Sequence, residues 1–367
     1  MLQATMTRSH ARPIDIFTPS DASADNTNAQ NLTVKEIVAR LPEDRFHVTM
    51  LCDGTPDPRL SARRNTRLVQ SMKHGNTIRL LRHCLFPAPD IYFFPRTGPL
   101  DRVFLNLRKR VRLNTALITY IVMAMDAATG SGMIGRSIIE GDMVFSNSIH
   151  VAETIDQMFG VKAKPIYDGV DRRYYFPRKR QVENADLVVL YAGSLQPRKR
   201  VERVIRQAAR LRGVQFRVAG KGETEKACRD LAQQSGCHNV SFLGHLSSER
   251  LGEEMRQADI FLFPSILEGN PQVLLQASAC GLPSIAMALY RSDYVVNGKT
   301  GFLVGSDVEL SASLDQLAGD ATLRRSFAAA AADHACQFDW DDIAEQWSKV
   351  FEEVLQKRRP CFHQRAS

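Results

Sequence analysis

Three neighbouring features of the chain have residue types that are suited to ligand binding. Glu268 supplies a carboxylate, the turn Gly269-Asn270-Pro271 opens a short helix, and Gln276 follows the acid by eight residues. A turn at a helix N-terminus presents backbone N–H groups, which attract anions. Gln276 lies about one and a half turns into this helix, where its amide can bond to hydroxyl groups. The alternative is an ordinary strand–loop–helix unit in which Glu268 is simply solvated.

A loop earlier in the chain carries positive charge directly before a helix. Residues 193–200 read GSLQPRKR and include Arg198 and Lys199. Two cations and a helix N-terminus can hold a diphosphate between them. A helix normally begins with acidic residues, so we favour phosphate binding over the alternative, a basic helix start on the surface.

Two further loops complete a set of four. Gly220-Lys221-Gly222-Glu223 is a tight turn whose glycines allow a ligand to approach the backbone. Residues 242–246, FLGHL, can present backbone groups to a nucleobase, although a lone histidine such as His245 is more often structural. The four loops occur in the order of successive βα units, and ligands of open α/β sheets bind at the carboxyl ends of the strands.

The alternation of apolar runs and helical patterns predicts two parallel α/β domains. Strands are predicted in the first half at residues 14–17, 47–52, 91–94, 117–122 and 143–146. A turn-rich break at residues 165–177 precedes strands predicted at 187–192, 215–219, 240–242, 260–263 and 284–287. The first turn, residues 18–31, lacks the GxGxxG fingerprint, so the first half is not expected to hold a dinucleotide. We predict an α/β protein with two Rossmann-like domains facing each other across a cleft.

Composition and cysteine usage predict a cytoplasmic protein. The chain has 367 residues, of which 44% are hydrophobic and 24% charged, as in soluble globular proteins of two domains. The first residues, MLQATMTRSHARP, do not resemble a signal peptide, and the longest apolar run, 113–125, is too short to span a bilayer. Seven scattered cysteines without a CxxC pair indicate free thiols and no zinc site.

The net charge of +8 points to an anionic partner. We find no nucleic-acid-binding motif, so nucleic acid is not the expected partner. A segment from Arg102 to Arg112 interleaves basic with apolar residues. Two interpretations stay open for it: a solvated helix face, or a patch that meets an anionic membrane surface.

The second half of the chain resembles the donor-binding domain of the retaining glycosyltransferases of the GT-B fold, family 4, also called glycosyl transferases group 1. The resemblance is specific over residues 140–350 and looser over 1–140. It is carried by GSLQPRK (193–199), VAGKGE (218–223), VSFLGHL (240–246), ADIFLFPS (258–265), EGNPQVLLQASACGLPSI (268–285) and NGKTGFLV (297–304).

The resemblance implies a role for each residue of the donor site. Lys199 contacts the donor diphosphate, Glu268 lies beside the donor sugar, and the residue at 276 binds the ribose. With Glu268 and Lys199 as the catalytic pair, the loops and the resemblance together predict these donor-binding residues: Gly193, Ser194, Arg198, Gly220, Gly222, His245, Leu246, Gly269, Asn270, Pro271 and Gln276.

The chain departs from the family pattern at two of these positions. The family commonly has an arginine at position 194 and a glutamate at 276, where this chain has Ser194 and Gln276. Arg198 is our candidate for the missing cation. The amide at 276 lacks the acid's charge, which is expected to cost about 1–2 kcal/mol of charge-assisted hydrogen bonding.

The resemblance also implies the boundaries and roles of the domains. Residues 1–170 form the acceptor domain, 171–340 the donor domain, and 341–367 a helix and tail packing back toward the first domain. The family often places a histidine near the donor sugar in a loop of the first domain, where this chain has none. The predicted acceptor-side residues are Asp25, Asn26, Asn28, Arg96 and Asp126.

The expected activity is transfer of a hexose from a nucleotide diphosphate sugar to a hydroxyl of a glycan or lipid-linked acceptor, with retention and without a metal. No cofactor is expected beyond this co-substrate, and polysaccharide biosynthesis at the cytoplasmic face of a membrane is the expected setting. Two alternatives stay open: a non-catalytic nucleotide-sugar-binding protein or partner subunit of transferase fold, and a sugar-phosphate phosphorylase.

Overall fold

The computed structural model describes residues 12–24, 28–70, 77–95, 98–122, 139, 141–177 and 186–358. The chain divides into two compact units. The first comprises residues 1–120, 133–144 and 344–367, and the second comprises 121–132 and 145–343.

The first sheet has seven strands in the order β3-β2-β1-β4-β5-β6-β7. Strands β1 to β5 pair in parallel, as do β6 and β7. Their bounds are Ile14–Asp21, Phe46–Cys52, Thr66–Gln70, Ile91–Phe93, Ala116–Ile121, Met143–Ser146 and Lys164–Pro165.

The second sheet has six parallel strands in the order β10-β9-β8-β11-β12-β13. Their bounds are Val188–Ala192, Gln215–Ala219, Val240–Gly244, Ile260–Phe263, Ser284–Met287 and Gly301–Val304. Strands β8, β11 and β12 are buried along their whole length, as expected for a parallel sheet covered by helices on both faces.

Twelve α-helices are described along the chain. Helices α1 to α5 are Ala29–Arg40, Pro58–Ser61, Thr77–Leu85, Pro99–Val111 and Ile149–Phe159. Helices α6 to α9 are Val201–Arg210, Glu225–Gln234, Ser248–Gln257 and Gln272–Ala279. Helices α10 to α12 are Asp307–Gly319, Ala321–Ala335 and Trp340–Arg358, and 3₁₀ turns occur at Pro197–Lys199 and Ala288–Tyr290.

Aromatic side chains form much of the core of the first unit. Tyr92 on β4 stacks on Phe104 of α4 with ring centroids 4.1 Å apart, and its hydroxyl donates to Asp101 at 2.9 Å. Trp347 of α12 is fully buried, and its ring lies 4.9 Å from Phe93 and 5.0 Å from Tyr120. The last helix is therefore part of the core that covers β4 and β5.

The predicted fold class, α/β with two parallel sheets, is confirmed. Helix α6 buries the predicted apolar stripe Val201, Val204, Ile205 and Ala208. The predicted loop at 18–31 is too long, because β1 continues to Asp21 and α1 begins at Ala29. Strands β3, β7 and β13 were not predicted. Within the described ranges, no helix combines the length and apolar character needed to cross a bilayer.

Candidate active site

The four loops singled out in the sequence follow four neighbouring strands of the second sheet. Strands β10, β9, β8 and β11 are adjacent and parallel, so their carboxyl ends lie at the same edge. The predicted convergence of these loops is therefore confirmed.

The glycines after β8 and β9 allow two loops to pack closely. A Cβ placed at Gly220, where φ is +137°, would lie 1.8 Å from the carbonyl oxygen of Gly193. A Cβ at Gly222 would lie 2.3 Å from the carbonyl oxygen of Leu195. The structure thus gives these glycines a packing role, while their predicted contact with a ligand stays a prediction.

The three cations that follow β8 have different partners. Arg198 and Lys199 lie in the 3₁₀ turn and direct their charges to Glu268. Arg200 adopts the left-handed conformation with φ +52° and pairs with Asp307 at 2.5 Å. Only Arg198 and Lys199 are therefore held beside the predicted donor-binding acid.

Glu268 is the centre of this cluster. Its Oε1 accepts a hydrogen bond from Lys199 Nζ at 2.5 Å and one from Arg198 Nη1 at 2.8 Å. The same oxygen accepts from the hydroxyl of Ser265 at 2.5 Å. The side chains of Glu268 and Lys199 are each only 10% exposed, so both charges lie where water screens them weakly. An acid and a cation predicted from separate loops are thus brought into direct contact.

Ser265 was missed in the sequence analysis. It is fully buried two residues after the end of β11, and its hydroxyl, while donating to Glu268, also lies 3.3 Å from the carbonyl oxygen of Arg198. Ser265 therefore links the loop that carries the cations to the loop that carries the acid. A hydroxyl residue three positions before Glu268, two residues after a buried strand, was the available signal.

The environment of Lys199 changes its acid–base properties. Burial lowers the pKa of its ammonium group, while the Glu268 carboxylate opposes that shift. The Nζ atom also lies 4.9 Å from the ring centroid of Phe263, within the range of a cation–π contact. Burial likewise raises the pKa of the Tyr191 hydroxyl, which donates to the carbonyl oxygen of Ser194 at 3.0 Å.

The turn after Glu268 is more enclosed than the sequence predicts. Gly269 and Asn270 are buried. The Asn270 amide donates to the carbonyl oxygen of Asn147 at 3.0 Å and accepts from the hydroxyl of Ser292 at 2.8 Å. The Asn270 side chain therefore has a structural role, and the predicted contact of this turn with a donor rests on its backbone.

Gln276 lies on α9, slightly closer to its start than expected. Pro271 is the N-cap and the helix begins at Gln272, so Gln276 is its fifth residue. The side chain is half-buried and forms no hydrogen bond with any other residue that the structure describes. Its amide is thus available for the predicted ribose contact, which stays a prediction.

The loop after β10 presents less side-chain chemistry. Strand β10 extends to Gly244, which has φ +70°, two residues beyond its predicted end. His245 is exposed and Leu246 is half-buried. The predicted interaction of this loop with a nucleobase therefore depends on backbone groups.

The structure describes only one of the predicted acceptor-side residues. Asn28 is the N-cap of α1, and its side chain accepts from the Gln30 N–H at 3.0 Å. The remaining predicted residues lie outside the described ranges: Asp25, Asn26, Arg96 and Asp126.

The basic segment 102–112 lies mostly on α4 and exposes fewer cations than expected. Arg108 is withdrawn from the surface, because it pairs with Asp142 at 2.5 Å and donates to the Thr115 carbonyl oxygen at 2.9 Å. Val103 and Val111 are 37% and 60% exposed. The exposed cations of the segment are Arg102, Lys109, Arg110 and Arg112.

Comparison with known proteins shows that part of this chain is similar to a known family. Residues 176–334 match the family model described as Glycosyl transferases group 1. The D-inositol 3-phosphate glycosyltransferase of Stackebrandtia nassauensis is 29% identical over 248 residues, which cover 60% of this chain and 56% of that protein. The chain spans about half the length of the curated relatives it matches.

Solved structures share the fold over nearly the whole chain. Sucrose-phosphate synthase from Thermosynechococcus elongatus has a TM-score of 0.78 at 18% identity, covering 95% of this chain and 100% of that one. Anabaena HepE in complex with UDP has a TM-score of 0.75 at 18% identity, covering 93% and 100%. These similarities confirm the predicted GT-B fold.

Proposed function

We propose that this chain, whose residues 176–334 match the family model of the glycosyl transferases group 1, is a nucleotide-sugar-dependent glycosyltransferase. The proposed reaction moves a hexose to an acceptor hydroxyl, with retention at the anomeric carbon. The observation that carries the proposal is the convergence of Lys199 and Arg198 on Glu268 at the carboxyl edge of the second sheet.

The two cations would assist departure of the nucleoside diphosphate. Negative charge develops on the leaving phosphate as the glycosidic bond breaks, and fixed positive charge nearby lowers the barrier. Lys199 and Arg198 supply that charge from the protein, which supports a metal-independent reaction. In the proposed reaction the departing phosphate oxygen accepts the proton of the acceptor hydroxyl.

The remaining polar groups would orient the donor. Glu268 would accept hydrogen bonds from sugar hydroxyls, and the Gln276 amide would bond to the ribose. The names of the relatives suggest the first ligands to test, because one set is named for D-inositol 3-phosphate and HepE was solved with UDP.

The acceptor is proposed to be a glycan or a lipid-linked sugar bound by the first unit, near Asn28. An anionic membrane surface is the proposed partner of α4. The support is the set of exposed cations on this helix together with Val103 and Val111. Basic charge beside exposed apolar side chains suits the headgroup region of an anionic bilayer.

The proposal is tested by turnover. The purified protein is incubated with UDP-, GDP- and ADP-sugars and an acceptor panel that includes D-inositol 3-phosphate, and released nucleoside diphosphate is measured. We expect acceptor-dependent release that Glu268→Gln and Lys199→Met each reduce at least a hundredfold, in the range for loss of one transition-state contact. The matched control Glu202→Gln, an acid that contacts Arg203, retains release. Equal release by wild type and Lys199→Met would contradict the proposal.

A second candidate function, nucleotide-sugar binding without turnover, is favoured by one observation. Gln276 presents an uncharged amide where the resemblance implies a carboxylate. If this candidate is correct, wild type binds nucleotide sugars without releasing diphosphate, and Gln276→Glu gains release. If Gln276→Glu and wild type release diphosphate equally fast, the amide is not what limits turnover.

A further inference from the structure

The two carboxylate oxygens of Glu268 differ in their bonding. Oε1 accepts all three hydrogen bonds, from Lys199, Arg198 and Ser265. Among the described residues, none donates a hydrogen bond to Oε2. One oxygen therefore binds both cations, and the other can still accept from a hydroxyl group.

A diphosphate that binds Lys199 must compete with Glu268 for the same ammonium group. Lys199 Nζ lies 2.5 Å from Oε1 and its side chain is 10% exposed, so a diphosphate bound to this ammonium group would lie close to the carboxylate. Two anions forced together at a weakly hydrated site repel each other. A bound diphosphate and the carboxylate would therefore share one ammonium group, and each would weaken the other's interaction with Lys199.

Whether the carboxylate recovers the lost interaction depends on the ligand. A sugar attached to the diphosphate brings hydroxyl donors that can replace the lost hydrogen bond. A free nucleoside diphosphate brings no sugar hydroxyl to this position, so the carboxylate, whose side chain is only 10% exposed, would lose charge-assisted bonding without replacement. Selectivity then arises because the wrong ligand leaves a polar group unpaired.

Resting on the proposed function, we propose that Glu268 makes the site select an intact nucleotide diphosphate sugar over the free nucleoside diphosphate. The same competition acts after transfer. Once the sugar has left, the Glu268 carboxylate regains Lys199 and opposes retention of the product. Glu268 is thereby a specificity-determining residue in addition to its contact with the sugar.

Ser265 is the positioning residue of this arrangement. Its hydroxyl holds Oε1 of Glu268 on the side of the cations and also lies 3.3 Å from the Arg198 carbonyl oxygen. Removal of the hydroxyl leaves the carboxylate with two of its three partners. Its return to Lys199 is then less favourable, so discrimination against the free diphosphate should weaken.

The test is a comparison of affinities measured by isothermal titration calorimetry. Wild type, Glu268→Gln, Ser265→Ala and the control Glu202→Gln are titrated with UDP and UDP-glucose, GDP and GDP-mannose, and ADP and ADP-glucose. We expect Glu268→Gln to bind the free diphosphate about tenfold more tightly than wild type and to lose the preference for the sugar nucleotide. The preference of Ser265→Ala for the sugar nucleotide should lie between those of wild type and Glu268→Gln. Ser265→Thr keeps the hydroxyl and should restore the wild-type preference.

The control separates selection from a general gain of positive charge. Glu202→Gln removes one acidic charge from the start of α6 but no partner of Lys199. If Glu268→Gln and Glu202→Gln change the ratio of the two affinities equally, the inference is wrong.

Lys199→Met distinguishes failure of this inference from failure of the proposed function. In one outcome, Lys199→Met, shown to be folded by its thermal transition, weakens the affinity for both ligands while Glu268→Gln leaves the ratio of the two affinities unchanged. That result would support the proposed donor site and contradict the proposed selectivity. If no variant binds any of the six nucleotides, both are contradicted.

Discussion

At the scale of single residues, Lys199 is subject to two opposing influences. Burial lowers the pKa of its ammonium group, and the Glu268 carboxylate opposes this shift. The net effect is a lysine that loses its proton at a lower pH than an ordinary lysine. Charge at this position is therefore sensitive to alkaline pH in a way that an arginine would not be.

We expect nucleoside diphosphate affinity to fall as the pH rises through the lowered pKa of Lys199, below the ordinary value of 10.5. The ammonium form binds the anion and dominates at lower pH, so affinity is lost on the alkaline side. Lys199→Arg keeps its charge over this range. The measurement is the ratio of wild-type to Lys199→Arg affinity from pH 7 to 10, which cancels titration of the nucleotide. A ratio independent of pH would contradict this assignment.

The sequence could predict which residues lie near a ligand but not how they bind to one another. Glu268 and Lys199 were both identified, yet their shared bond joins residues 69 positions apart. Such a contact depends on β11 lying beside β8, a neighbour relation that periodicity does not encode. Ser265 was overlooked because a serine after a strand has many structural uses, and its partners appear only in three dimensions.

At the scale of elements, the loops after β8 and β9 are held together by close backbone packing. Gly220 has no room for a Cβ beside the Gly193 carbonyl oxygen and has a positive φ. The loop that carries Arg198 and Lys199 begins at Gly193. Its position therefore depends on a glycine in the neighbouring loop.

We expect Gly220→Ala to destabilise the protein by about 2–4 kcal/mol, combining overpacking with backbone strain. It should also weaken nucleotide binding, because the cation loop must move. Gly213→Ala is the matched control, since a Cβ there would meet nothing within 4 Å. Urea unfolding of both variants provides the measurement, and equal midpoints would show that the loops can separate at little cost.

The elements of the second half were easier to predict than those of the first. Continuous apolar runs such as Ile260–Phe263 and Ser284–Met287 have the predicted bounds, because buried parallel strands leave a clear signal. Strand β3, Thr66–Gln70, is only partly buried and lies at the edge of its sheet. Its short, mostly polar sequence carries little periodicity, which explains why it was missed.

At the scale of the whole molecule, the first unit combines the beginning and the end of the chain. Trp347 lies in the core with Phe93 and Tyr120, and Phe351 packs against Phe46 with ring centroids 5.9 Å apart. Composition and spacing did not predict these contacts. An apolar stripe on a C-terminal helix does not say which sheet it covers.

We expect Trp347→Ala to cost about 3–5 kcal/mol, the usual penalty for emptying a buried aromatic position. Lys349→Ala is the control on the same helix, because that side chain is 70% exposed. Differential scanning calorimetry should show the loss in Trp347→Ala and an unchanged profile for the control. A Trp347→Ala profile that overlays that of wild type would show that this helix contributes little to the core.

The place of Trp347 in the chain has a consequence for folding during synthesis. Every strand of the second sheet lies between Val188 and Val304, so that sheet is complete before the ribosome reaches Trp347. The core around Phe93 lacks its covering helix until α12 has been synthesised. Domains commonly fold in the order in which they are translated. Here we expect the reverse order. The second unit folds first, and the first unit completes its core only after α12 has been synthesised.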